Sequence, residues 1–368
     1  MTVGLLPALG SGLGELVSGG QASRLIDGYL VPYARAFGQV RYFSYLPESL
    51  DTFTRDPELL RRVRVLAPSR SMGRGRRAVT MPWAHAAEFR ECRLLRIFQI
   101  TGVIPGLLVA ARFGVPYVTT YGFWYGRLSR PGPRRILKAI TERVGLARAA
   151  AVIVPTEELR ARAARVARRV WLVPNGVDVR RFTPPPARRP GKPARVLYVG
   201  RLSPEKNLRA VVQAAASLKT RVPLAITMVG AGPLQSELAA AAATADVQLD
   251  LPGVIDHRHL PEVYRSADVF VLASFTEGHP KVLLEAMSTG LPCAVSDCPG
   301  NRSLVTDGER GLLFDPTRPD ALAAALERVV TDAALADRLG SAARAFVEST
   351  YDLGSLVARE IELLRSIA

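Results

Sequence analysis

Residues 196–207 read Val196-Leu197-Tyr198-Val199-Gly200-Arg201-Leu202-Ser203-Pro204-Glu205-Lys206-Asn207. A short apolar run ends at Gly200, and Ser203-Pro204 has the form of a helix N-cap and first helical position. Strand, tight turn, helix is the unit from which parallel sheets are built. The alternation continues on both sides. Ala225–Val229, Val247–Leu251, Val269–Leu272 and Cys293–Ser296 read as strands after it. Before it come Val3–Leu6, Val40–Phe43, Val63–Leu66, Leu94–Phe98, Tyr117–Thr120 and Ala151–Val154. This pattern predicts an α/β protein of two Rossmann-like, doubly wound domains, with the cleft between them as the default ligand site. Residues 183–193 carry five prolines (Pro184, Pro185, Pro186, Pro190 and Pro193), which suits a stiff connector rather than a packed element. The predicted layout is a first domain over 1–175, a proline-rich linker over 176–194 and a second domain over 195–345. A C-terminal helix over 346–368 is expected to pack back towards the first.

The chain has 368 residues, 48% of them hydrophobic, which is enough for two ordinary cores. No uninterrupted apolar run reaches the ~18 residues that a spanning helix needs. Val3–Leu6 follows the start almost at once with no basic segment before it, so no signal peptide is expected. Cys92, Cys293 and Cys298 cannot all pair and form no C-x-x-C, so a disulfide scaffold or cysteine zinc site is not expected and a reducing cytosol fits. Charge is less even. Residues 1–180 hold 28 Lys+Arg against 12 Asp+Glu, and residues 181–368 hold 21 against 21, so the whole net charge of +16 lies in the first half. That half is expected to meet something anionic: nucleic acid, a membrane surface or a charged substrate.

Three stretches carry chemistry. Arg201 and Lys206 gather beside an expected helix start, where cations are unfavourable by a few tenths to about 1 kcal/mol. An anion such as a diphosphate would account for them; a solvated charge pair with Glu205 neutralising one is the plain alternative. In Ser274-Phe275-Thr276-Glu277-Gly278-His279-Pro280-Lys281-Val282-Leu283-Leu284-Glu285, Gly278 lets backbone approach a ligand and Pro280 opens a helix with free N–H groups. Glu277 and Glu285 suit sugar hydroxyls, because a carboxylate accepts two hydrogen bonds. A glycosidase pair would also use two carboxylates but explains neither Arg201 nor Lys206. Glu285 sits among Val282, Leu283, Leu284, Ala286 and Met287, which argues against an exposed side chain. Met228-Val229-Gly230-Ala231-Gly232-Pro233 is a glycine-rich turn after a strand, a weak signal alone.

Taken in order, five blocks resemble the GT-B glycosyltransferases of the large retaining family 4. They are Val173-Pro174-Asn175-Gly176-Val177-Asp178, residues 199–207, residues 229–233, Glu277-x7-Glu285 running on through Gly290-Leu291-Pro292, and Asp307-Gly308-Glu309-Arg310-Gly311. The resemblance implies a nucleotide-diphosphate sugar held by Gly200, Arg201, Lys206, Gly230, Gly278, His279, Pro280, Leu283 and Glu285. Arg201 and Lys206 would stabilise the leaving diphosphate, Glu277 would meet donor hydroxyls, and Glu285 would take the ribose. In the first half, Gly19-Gly20 would be the family's glycine pair, with Gly10-Ser11-Gly12-Leu13-Gly14 as rival. Tyr121-Gly122 stands where the family often has His-Gly. Tyrosine donates a hydrogen bond but is a poor base near neutrality, so either that histidine is dispensable, His85 replaces it, or activity is lost. Ser303 stands where a glutamate is frequent. No Asp-x-Asp occurs, and His85, His257, His259 and His279 form no metal cluster; His257-x-His259 reads as a surface loop. Neither metal nor cofactor is expected.

Arg127, Arg130, Arg134, Arg135, Lys138, Arg143 and Arg148 surround a helix with apolar Ile136, Leu137, Ile140 and Val144. Arg61, Arg62, Arg64, Arg70, Arg74, Arg76 and Arg77 form a second cluster. Basic amphipathic surface can hold anionic lipid heads, although an arginine-rich face can also follow from codon usage. The expectation is a cytoplasmic enzyme, peripheral on the inner face of the cell membrane. It would pass a hexosyl group from a nucleotide sugar to a lipid-linked or glycan acceptor, with no nucleic acid partner. The rivals are a nucleotide-sugar epimerase of the same fold and a non-enzymatic anion- or nucleic-acid-binding protein.

Overall fold

The computed structural model describes residues 1–18, 20–122, 132–186 and 193–368. The chain divides into two compact units, Met1–Pro174 with Ser355–Ala368, and Asn175–Gly354. In the first, β1 (Thr2–Leu6), β2 (Gln39–Phe43), β3 (Val63–Leu66), β4 (Leu94–Ile97), β5 (Tyr117–Thr120), β6 (Ala151–Val154) and β7 (Val170–Leu172) form a parallel sheet in the order β3-β2-β1-β4-β5-β6-β7. In the second, β8 (Ala194–Val199), β9 (Leu224–Val229), β10 (Gln248–Gly253), β11 (Val269–Leu272), β12 (Cys293–Ser296) and β13 (Leu312–Phe314) run β10-β9-β8-β11-β12-β13. Both sheets are wound outward in two directions from their first strand. Helices lie on both faces, so β4, β6, β11 and β12 are buried along their whole length; β6 and β11 show as unbroken apolar runs, while β4 carries Arg96 and β12 ends on Ser296.

Doubly wound sheets place ligands outside the carboxyl ends of the strands, where the winding reverses. That point lies between β8 and β11 in the second unit, which pair through Val196–Val269 and Leu197–Phe270. The loops after β8 and β11 are residues 200–207 and 273–280, the two strongest chemical stretches in the sequence.

Several boundaries differ from expectation. Pro204–Lys206 is a single 3₁₀ turn, not the start of an α-helix; Asn207 then adopts φ 54°, and the helix proper is Leu208–Leu218. The left-handed residue resets the chain direction, so Arg201 and Lys206 flank a tight turn. Residues 176–182 are not linker. Val177 exchanges backbone hydrogen bonds with Tyr351 and Leu353, and Phe182 is fully buried in the second core. Val177 and Phe182, ahead of the prolines, dock the segment, and Arg344 donates to the Val179 and Phe182 carbonyls. Residues 187–192 of the expected linker lie outside the described residues. The helix Ala333–Thr350 ends inside the expected final element, and the last helix is Leu353–Arg365.

That last helix brings Glu360 into the first unit. Its carboxylate accepts from Arg96 Nε at 2.5 Å and from the Tyr33 hydroxyl at 2.5 Å. Arg96 also donates to the Ile97 carbonyl and to Thr120 Oγ1. Burial works against charge on Arg96, but Glu360 more than offsets it and the guanidinium is held above its ordinary pKa.

Candidate functional site

The second unit's site is built from backbone contacts first. Gly200 N donates to the Val229 carbonyl and Gly230 N to that of Gly253. A Cβ on Gly230 would collide with the Gly200 carbonyl oxygen, so the two turns touch backbone to backbone. Gly230 also has φ 134°, a conformation that favours glycine. The loops after β8 and β11 are then joined by Phe275 N donating to the Glu205 carbonyl at 3.0 Å.

Across this junction Lys206 Nζ lies 2.6 Å from Glu277 Oε1, and the same oxygen accepts from Ser274 Oγ at 2.6 Å. The pair spans the point where the sheet reverses. An ammonium has three donors, and Glu277 takes one of those on Lys206. Glu277 Oε2 receives no bond among the described residues. Beneath the loop, Ser296 Oγ donates to the Ser274 carbonyl, and Asn301 Nδ2 donates to the Ser296 carbonyl and Oγ. Arg201 is exposed and is held by Glu205 at 3.0 Å, which also accepts from Ser203 Oγ. For Glu205, burial would raise the carboxyl pKa, yet the Ser203 bond and neighbouring cations bring it below the usual range.

The Glu277–Pro280 segment is tied down by Asn175, whose Nδ2 donates to the His279 carbonyl at 2.8 Å. The His279 ring is buried against Tyr351, with no partner at Nδ1. Burial, then Lys281, pushes its pKa down to about 4. An unfolded histidine takes up its proton near pH 6.5, so the unfolded chain binds that proton first as pH falls. The stability contributed by neutral His279 is complete above about pH 6.5 and drains away towards pH 4, on the order of 3 kcal/mol in all. Thermal melts across that window should therefore fall more steeply for the wild type than for His279→Asn. Equal slopes would count against it.

Glu285 is buried at 1% exposure. His257 Nε2 lies 3.0 Å from Oε1, and the Tyr264 hydroxyl donates to Oε2 at 2.9 Å. A carboxylate only accepts, so the His257 proton sits on Nε2 and leaves Nδ1 without a partner. His257 is thus buried beside Phe182 rather than part of a surface loop, whereas His259 is exposed. The sequence offered no signal for the His257–Glu285 contact. Leu283 belongs to the hydrophobic core with no exposed surface, so its side chain makes no part of an open site. Gly278 and Pro280 sit at the start of the helix Lys281–Ser288, where no side chain caps the first amides.

The first unit corrects more of the expectations. Tyr121 is 1% exposed; its hydroxyl donates to Glu142 Oε1 at 2.9 Å and accepts from Arg162 Nε at 3.1 Å. Burial, with Glu142 beside it, raises its pKa to about 12. The side chain belongs to the first unit's core, with its hydroxyl engaged by Glu142 and Arg162. His85 is no replacement histidine, since its Nε2 accepts from the buried Arg77 at 2.9 Å and burial lowers its pKa. Gly20 has φ 70° and its amide closes the preceding helix on the Val17 carbonyl. Gly19 lies outside the described residues. In the rival loop, the amides of Leu13 and Gly14 donate to the Glu48 carboxylate at 2.9 and 2.8 Å. A Cβ on Gly12 would stand 2.7 Å from Glu48 Oε1. Among the described residues, no group of three or more His, Cys, Asp or Glu is placed to hold a metal ion, and no helix is long and apolar enough to cross a membrane.

Residues 179–346 match the family "Glycosyl transferases group 1", and residues 35–181 match "Glycosyltransferase Family 4". Glycogen synthase of Mycobacterium tuberculosis is 35% identical over 187 residues, 50% of this chain and 45% of that protein. The Escherichia coli UDP-Gal:alpha-D-GlcNAc-diphosphoundecaprenol alpha-1,3-galactosyltransferase is 34% identical over 182 residues, covering 45% and 46%. The chain thus spans about half the length of the curated relatives it matches. Among solved structures, sucrose-phosphate synthase from Thermosynechococcus elongatus superposes with a TM-score of 0.81 at 22% identity, over 100% of this chain and 99% of that one. Anabaena HepE in complex with UDP superposes with a TM-score of 0.79 at 17% identity, over 100% of both. Two sheets wound alike, two family matches that together run from residue 35 to 346, and these superpositions agree: the chain belongs to the group 1, family 4 glycosyltransferases and has their GT-B fold.

Proposed function

We propose that the protein transfers a hexosyl group, with retention, from a nucleotide-diphosphate sugar to a lipid-linked or glycan acceptor in the synthesis of cell-surface glycan or glycolipid. The observation that carries this is the Lys206–Glu277 pair bridging the β8 and β11 loops. The pair presents a cation with two remaining donors beside a carboxylate with a remaining acceptor oxygen, which is what a diphosphate joined to a sugar requires. Arg201 adds a second cation from the exposed side. Glu285, fixed in place by His257 and Tyr264, is the ribose contact in this reading.

In the proposed step the bond between the anomeric carbon and the diphosphate oxygen breaks, and its electron pair leaves with the nucleotide. The acceptor oxygen bonds to the same face of that carbon, and its proton passes to the leaving phosphate. Lys206 and Arg201 stabilise the negative charge that develops on the diphosphate. No side-chain base is needed, which accords with Tyr121 being engaged elsewhere. The relative from Escherichia coli, which bears a diphosphoundecaprenol-linked acceptor in its name, supports a lipid-linked acceptor here, as does the basic first half.

A thermal-shift panel of UDP-, GDP- and ADP-sugars tests the donor reading. One nucleotide class should raise the melting temperature, by about 2.7 kcal/mol of stabilisation at a hundredfold excess over Kd. Glu285→Gln should abolish the shift, and Lys206→Ala, whose larger effect is expected on kcat, should reduce it. A folded protein that responds to none of the three would refute the reading.

A further inference from the structure

The helix Pro133–Arg148 in the first unit has two unlike faces. One is buried: Gly145 packs on Val103, Leu146 joins the core, and Glu142, the helix's single acidic residue, is bonded to Tyr121. On the other, Ile136, Leu137, Ile140 and Val144 are 64%, 66%, 55% and 43% exposed. Side chains four apart stack along a helix, so Ile136, Ile140, Val144 and Arg148 form one line. At ~1.5 Å per residue that line is roughly 18 Å long. Beside its first half is an open hollow of about 390 Å³ flanked by Arg135 and Arg143. At its far end Arg148 joins Arg168 and Arg169 around a cavity of about 540 Å³. Among the described residues, neither is lined by an acidic side chain.

An aliphatic ridge edged with arginine and leading into an arginine-lined pocket matches one chemistry well. Acyl chains accept the ridge and headgroup phosphates accept the guanidinium groups. The other basic cluster fits less well. Arg77 is buried on the Ser44 and Leu66 carbonyls, Arg62 pairs with Glu58, and Arg64 lies near Glu88. Arg127, Arg130 and the side chain of Arg134 lie outside the described residues.

We infer that the outward face of the Pro133–Arg148 helix and the Arg148–Arg168–Arg169 pocket form one docking surface for an anionic phospholipid bilayer. The ridge enters the headgroup–acyl boundary and the pocket takes a lipid phosphate. This deepens the lipid-linked acceptor reading and rests on it for its purpose.

Co-sedimentation of the full chain with phosphatidylglycerol/phosphatidylcholine vesicles, and with phosphatidylcholine alone, tests it. The wild type should bind the anionic vesicles, more weakly as salt rises, and leave the neutral ones in solution. Arg148→Ala/Arg168→Ala/Arg169→Ala should weaken binding roughly a hundredfold, about fivefold per residue. Ile136→Asp/Ile140→Asp should weaken it at least about tenfold. Arg61→Glu/Arg76→Glu, in the other cluster, should change it by less than about threefold. Because all these side chains are exposed, the melting temperatures should stay close to wild type. Three results would overturn the inference: equal binding to neutral vesicles, an equal loss in the Arg61/Arg76 variant, or a wild-type dimer in light scattering that the ridge variant dissociates. Nucleotide thermal shifts on the same proteins keep the two ideas apart. A nucleotide response without vesicle binding removes the docking surface alone, and vesicle binding without a nucleotide response removes the donor reading alone.

Discussion

Lys206→Ala is expected to lower kcat/KM for glycosyl transfer by about two to three orders of magnitude, with most of the loss in kcat. In the proposed step the side chain meets a charge that grows as the diphosphate departs, and losing one preorganised donor at such a position typically costs ~10²–10³. Lys206→Arg should recover only part of this, because a planar fork cannot hold the Glu277 oxygen 2.6 Å away and still turn donors towards the diphosphate as an ammonium does. Glu277→Gln keeps shape and a hydrogen bond to the lysine, so its loss should fall more evenly on kcat and KM. The measurement is initial-rate kinetics with the donor that the thermal-shift panel selects. A Lys206→Ala enzyme within threefold of wild type would show that the pair is structural.

Glu360→Ala should be the most damaging single change to stability, costing about 3–5 kcal/mol, because it leaves Arg96 charged and buried with no counter-charge. Arg96 and Glu360 are 3% and 4% exposed. Tyr33 also loses the acceptor of its buried hydroxyl in that variant. The double replacement Arg96→Met/Glu360→Leu removes both charges and should recover most of the loss. Urea denaturation of the four proteins gives the coupling directly. If the single and double variants were equally unstable, simple volume loss and not the stranded charge would explain the cost.

Much of this architecture can be read in the residues, because strands covered on both faces are predominantly apolar, with an exception such as Arg96 needing a buried partner. Val269–Leu272 and Ala151–Val154 announce themselves for that reason. Val170–Leu172 and Leu312–Phe314 do not: each is a three-residue edge strand, too short to show a period, and is recognised only when a neighbour pairs with it. The site divides the same way. Arg201, Lys206, Glu277 and Glu285 are legible because charge lies close to a glycine or inside an apolar helix. That Lys206 meets Glu277, 71 positions away, depends on strand order, which no local pattern encodes. The buried roles of Tyr121, His257 and Leu283 also depend on which neighbour arrives from elsewhere in the chain.

The carboxylate of Glu48 on the Leu13 and Gly14 amides bears on what the first unit can select. A group tethered within the same fold competes at an effective concentration of millimolar or above. Free phosphate or a phosphorylated metabolite would have to outbid it at that loop, and Ser44 helps hold the incumbent in place. The glycine-rich turn after β1 is therefore self-saturated. For the proposed transfer, acceptors that differ only in carrying a phosphate would gain no advantage at these two amides, and discrimination among them would come from contacts elsewhere.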